Sequence, residues 1–82
     1  MKLIKFSASW CAPCKQLSTV IGSIKDQLPE VVEVDVEKDF ELASKYNIRS
    51  VPVLVLEDND GNFIRRMAGY QSAEKLLEFV KE

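Results

Sequence analysis

The sequence predicts an α/β fold, one mixed sheet flanked by helices, with the element order β-α-β-α-β-β-α. Three observations carry this. Apolar residues from Leu17 to Leu28 recur with a helical period, between two short runs of strand character. The nearly continuous apolar run "VPVLVLE" at 51–57 has the composition of a strand buried on both faces. The turn-forming stretch "DNDGN" separates that run from a further strand-like segment, so the two form a hairpin.

Each element has its own signal. "KLIKF" at 2–6 is apolar-rich and ends at polar "SAS", which defines a strand. Leu17, Val20, Ile21, Ile24 and Leu28 then share one helical face. Pro13 falls in the first turn of that helix, where its missing N–H costs least. Gly22 is a small penalty in mid-helix, and Pro29 stops the helix. "EVVEVDVE" at 30–37 is β-branched and alternating, a second strand. Asp39 caps a short helix, "FELASKY", with Leu42, Ala43 and Tyr46 on one face. Gly61 supplies positive φ in the hairpin turn, "FIRRMA" is the second arm, and Gly69 ends it. Ser72 caps the last helix, which turns Ala73, Leu76, Leu77 and Val80 inward. The first two strands are joined by a helix and are therefore parallel, with a right-handed crossover.

The 82 residues make one domain, spanning 1–82, with a core of modest size. The 46% apolar and 29% charged content is that of a soluble globule. Eleven basic against thirteen acidic side chains give −2, which argues against nucleic acid or an anionic membrane as partner. No apolar run approaches the ~20 residues of a membrane-spanning helix. The N-terminus lacks the sustained hydrophobic region and small-residue cleavage site of a signal peptide. The expectation is a cytoplasmic protein, where a permanent disulfide is unusual.

The only two cysteines, Cys11 and Cys14, lie in "SASWCAPCKQL". A structural zinc site needs about four ligands, and this chain has two cysteines and no histidine, so carboxylates would have to complete it. A structural disulfide closing so small a loop constrains the unfolded chain little. A redox pair fits the placement better. Cys11 falls where a strand ends and a helix begins, where N–H groups and the helix dipole favour an anion and hence a thiolate. Cys14, one turn on and on the same side, can meet that sulfur and resolve a mixed disulfide. A CxxC beside a βαβ pattern is a redox signature.

"WCAPCK" at 10–15 resembles the active-site segment of the thioredoxin family, with Ala12 where the family usually has Gly. "YNIRSVPVLVL" at 46–56 resembles the segment carrying the family's cis-proline, here Pro52. "DGNFIRRMAGYQSAEKLLEFV" is similar to its closing hairpin, glycine and helix. The likeness covers essentially the whole chain but begins one strand and one helix late. It implies the minimal, glutaredoxin-sized thioredoxin fold, with sheet order 2-1-3-4, as in short phage and archaeal thioredoxins.

What the resemblance implies is a protein-disulfide reductase with no cofactor and no metal, acting as a monomer. Its partners are protein disulfides and thioredoxin reductase or an equivalent electron donor. Cys11 attacks, Cys14 resolves, and Pro52 places the Val51 backbone beside the cysteines, where an extended substrate segment can pair with it. Trp10, Ala12, Pro13, Val51, Pro52, Gly69 and Tyr70 line an apolar docking surface. Two alternatives stand beside this. One is a glutathione-linked, glutaredoxin-like enzyme, although the Cys-Pro-Tyr-Cys motif and Gly-Gly turn usual there are absent. The other is a thiol-independent binding subunit.

One departure concerns charge. The family keeps a buried aspartate five residues before the tryptophan and a lysine on the neighbouring strand. Here those positions hold Lys5 and Glu33. Exchanging both signs keeps the charges matched. Either both side chains reach water and never meet, or they meet near Cys14. In the second case Lys5 favours a thiolate and Glu33 accepts the Cys14 proton during resolution.

Overall fold

A computed structural model describes residues 1–81. The chain runs β1 (Lys2–Ser7), α1 (Ala12–Ser23), a 3-10 turn (Lys25–Gln27), β2 (Glu30–Asp35), α2 (Phe40–Lys45), β3 (Val53–Glu57), β4 (Phe63–Ala68) and α3 (Ala73–Phe79). The four strands form one sheet in the order β2-β1-β3-β4. β1 and β2 are parallel, while β3 is antiparallel to both β1 and β4. The expected element order and strand order are both found.

The alternation along β1 divides the core. Leu3 turns to one face of the sheet, where Leu17 and Ile21 of α1, Leu54 and Leu56 of β3, and Leu76 and Phe79 of α3 pack together. Ile4 and Phe6 turn to the other, against Val34, Val53, Val55 and Tyr46 beside α2. β3 is buried along its whole length, which accounts for its unbroken apolar run.

The helix expected to run to Leu28 is shorter. α1 stops at Ser23, and the Ile24 N–H bonds to the Ile21 carbonyl three residues back. The chain tightens into the 3-10 turn with Ile24 buried and Leu28 half-buried, so the apolar period survives the change of helix type. Asp39 and Ser72 cap α2 and α3 as expected, accepting from the Leu42 and Lys75 N–H groups. Among the described residues no helix is long and apolar enough to cross a membrane.

Candidate active site

Cys11 is the N-cap of α1. Its backbone is extended, and its Sγ accepts the Cys14 N–H at 3.1 Å. A sulfur therefore stands where Asp39 and Ser72 place an oxygen on the other two helices. α1 also has no acidic residue in its first turn, whereas α2 has Glu41 and α3 has Glu74. The positive end of the α1 dipole is thus left facing Cys11 Sγ. Pro13 in the first turn lacks the N–H that would otherwise go unpaired there.

The cysteines are joined as a disulfide, with Cα atoms 5.3 Å apart. Both are buried, at 4% and 2% exposure, and pack with Ala8, Val36 and Val51. The two sulfurs have different surroundings. Cys11 Sγ lies 3.8 Å from the Val51 carbonyl oxygen. The Val51–Pro52 peptide bond is cis, as the resemblance implied. Pro52 is buried, and its carbonyl accepts the Gly69 N–H at 2.8 Å, which ties the end of β4 to this loop. Gly69 has φ +86°, so glycine is required there by backbone conformation, although nothing lies within 4 Å of where a Cβ would stand.

Cys14 opens the other way, onto a polar cleft of about 350 Å³. Cys14, Lys15 and Ser18 of α1 form one wall, Lys5 and Ser7 the floor, and Glu33 and Asp35 of β2 the other wall. Lys5 and Glu33 do meet. They are partners in the β1–β2 register, with Lys5 Nζ 3.0 Å from Glu33 Oε1. The pair is asymmetric: the Lys5 side chain is 2% exposed and that of Glu33 62%. The ammonium also donates to Ser18 Oγ, and Glu33 Oε1 accepts from Ser7 Oγ at 3.4 Å.

Around the cysteines, Trp10 is 69% and Tyr70 50% exposed. Ala12 and Pro13 are exposed, while Val51 and Gly69 are half-buried. Trp10 is thus a surface residue rather than part of the core. Sequence reasoning missed Ser18 and Val36. Ser18 had a signal, since it lies four residues after Cys14 and so on the same face of α1. Val36 had none, because its contact depends on how the end of β2 returns to Ser7, whose carbonyl accepts the Val36 N–H at 2.9 Å.

The arrangement is that of a dithiol–disulfide couple, with one sulfur at a helix N-terminus beside a cis-proline and the other beneath it. The thioredoxin family model matches residues 1–82. Thioredoxin of Chlamydia trachomatis is 33% identical over 82 residues, covering 98% of this chain and 79% of that protein. A thioredoxin-like protein of Synechocystis is 37% identical over 79 residues, covering 93% and 74%. Among solved structures, a mutant thioredoxin of Halobacterium salinarum superposes with a TM-score of 0.87 at 35% identity, covering 96% of this chain and 70% of that one. Fold, cysteine geometry and these likenesses agree: the chain belongs to the thioredoxin family, thiol–disulfide oxidoreductases that reduce protein disulfides.

Proposed function

We propose that Cys11 is the attacking thiol and Cys14 the resolving one in a cycle that reduces protein disulfides, recharged by thioredoxin reductase in the cytoplasm. The observation that supports these roles best is the N-cap. In the reduced protein the Cys14 N–H and the free end of the α1 dipole favour a thiolate on Cys11 over one elsewhere. That thiolate attacks a substrate disulfide, forming a mixed disulfide and releasing one substrate thiolate. Cys14 loses its proton and attacks Cys11 Sγ, so the second substrate thiolate leaves and the Cys11–Cys14 disulfide forms.

The docking surface is the exposed rim of Trp10, Ala12, Pro13 and Tyr70 around the Val51–Pro52 loop. A short extended segment of substrate pairs with the Val51 backbone, so recognition rests mostly on main chain and tolerates many sequences.

The test is trapping. The Cys14→Ser variant is expected to accumulate a mixed disulfide with a disulfide-bonded protein substrate, and Cys11→Ser is not. The reverse pattern inverts the roles. A double Cys11→Ser, Cys14→Ser variant that keeps full biological function makes the chain a thiol-independent binding subunit instead. Turnover with NADPH and thioredoxin reductase, compared with NADPH, glutathione and glutathione reductase, identifies the electron donor.

A further inference from the structure

We propose that Lys5 is a positioning residue whose buried charge holds Cys14 ready to ionise. The inference rests on Cys14 being the resolving thiol. Lys5 and Glu57 are the buried charged side chains among the described residues, and Glu57 pairs with the opposite end of β1, at Lys2. Of the two, only Lys5 lines the cleft onto which Cys14 opens.

Its ammonium is fixed from two sides, by Ser18 Oγ on α1 and Glu33 Oε1 on β2. Ser18 is one helical turn from Cys14, ~6 Å along the axis. The two halves of the ion pair act on Cys14 unequally. Glu33 is largely in water, which screens its charge, whereas Lys5 is enclosed in protein, where a charge acts over a longer range. The other charged groups facing the cleft are Lys15 on α1 and Asp35 on β2. Lys15 is exposed and Asp35 half-buried, so water screens both more than it screens Lys5.

The field at Cys14 is therefore net positive, and it favours the thiolate over the thiol. The step it serves is resolution. Cys14 releases its proton into the polar cleft and on to water, and the resulting thiolate attacks Cys11 Sγ while the substrate thiolate leaves. No redox co-reactant beyond the mixed disulfide is needed. A neutral residue at position 5 would leave the proton on Cys14 at pH values where the native chain has lost it.

The experiment titrates Cys14 by thiolate ultraviolet absorbance in the full-length Cys11→Ser protein, alone and combined with Lys5→Gln, Lys5→Met or Lys5→Arg. Lys5→Gln loses the charge but keeps hydrogen-bonding capacity toward Ser18 and Glu33. The Cys14 midpoint is expected to rise by about one pH unit in Lys5→Gln and Lys5→Met, a tenfold loss of thiolate below the midpoint, and to return toward its starting value in Lys5→Arg. In the chain with Cys11 restored, release of substrate from the mixed disulfide is expected to slow about threefold below the midpoint. The less acidic thiolate is the better nucleophile and offsets about half the logarithmic loss. An unmoved midpoint in Lys5→Gln overturns the proposal, as does Lys5→Arg shifting as far as Lys5→Gln. If Lys5→Met does not fold, Lys5→Gln decides alone. Slowed resolution in Glu33→Gln with an unmoved Lys5→Gln midpoint overturns it in favour of Glu33 as the proton acceptor. The titration reads the Cys14 thiol whether or not the chain reduces substrates, so this proposal and the assignment of cysteine roles fail separately.

Discussion

At the end of the sheet away from the cysteines, the Tyr46 hydroxyl donates to the buried carboxylate of Glu57. The Tyr46 ring meets Phe6 edge-on, at 5.9 Å between centroids, and its carbonyl accepts from Arg66 at 2.6 Å. Burial, the hydrogen bond to Glu57 and the nearby carboxylate charge push the Tyr46 phenol from its ordinary 10.0 up to about 12. The unfolded chain releases this proton near pH 10, and the folded one keeps it until about 12. The contribution of Tyr46 to stability is complete below about pH 10 and is lost as pH rises to about 12. Tyrosinate absorbance of a Tyr70→Phe variant is expected to show Tyr46 ionising near the upper value, with unfolding free energy falling across the same window. Tyr46→Phe is expected to remove that part of the fall. A midpoint near 10 would contradict the hydrogen bond to Glu57.

Among the elements, the three helices differ in what caps them. Asp39 and Ser72 spend an oxygen on stability, and each is followed by an acid in the first turn. α1 has a sulfur instead and no acid. A strong oxygen cap at position 11 would steady the helix and remove the redox centre. Ser72→Ala is expected to lower stability by about 1 kcal/mol in urea unfolding, the usual cost of losing a hydroxyl cap. A change within ~0.3 kcal/mol would show that packing of Leu76 and Phe79 alone holds α3.

For the whole molecule, the sheet separates two apolar clusters that share no buried residue. Ile21 belongs to the α1–α3 side and Ile4 to the α2 side. Ile21→Val and Ile4→Val are each expected to cost about 0.5–1.5 kcal/mol. Together they should add to within ~0.5 kcal/mol, in a single urea transition, because they sit in separate apolar clusters. A coupling above ~1 kcal/mol, or two transitions, would mean that β1 transmits repacking from one face to the other.

The order of elements is legible in the sequence, because that information is local. Helical period in α1, alternation in β2, the unbroken apolar β3, and Asp39 and Ser72 as caps all act within a few residues. The sequence also located Cys11 and Cys14 at a strand–helix junction, since the "SAS" stretch and Pro13 mark that boundary. What depends on distant neighbours emerges only in the folded chain. Where α1 ends was one such case, because the core accepts Ile24 and Leu28 from a tighter turn as well as from a helix. That Lys5 is buried while its partner Glu33 is mostly in water was another. Sequence placed opposite charges on neighbouring strands, but their unequal burial comes from β1 being an inner strand, with Ser18 of α1 reaching Lys5, while β2 stands at the edge of the sheet. A charge acts through whatever surrounds it, and those surroundings exist only once the chain has folded.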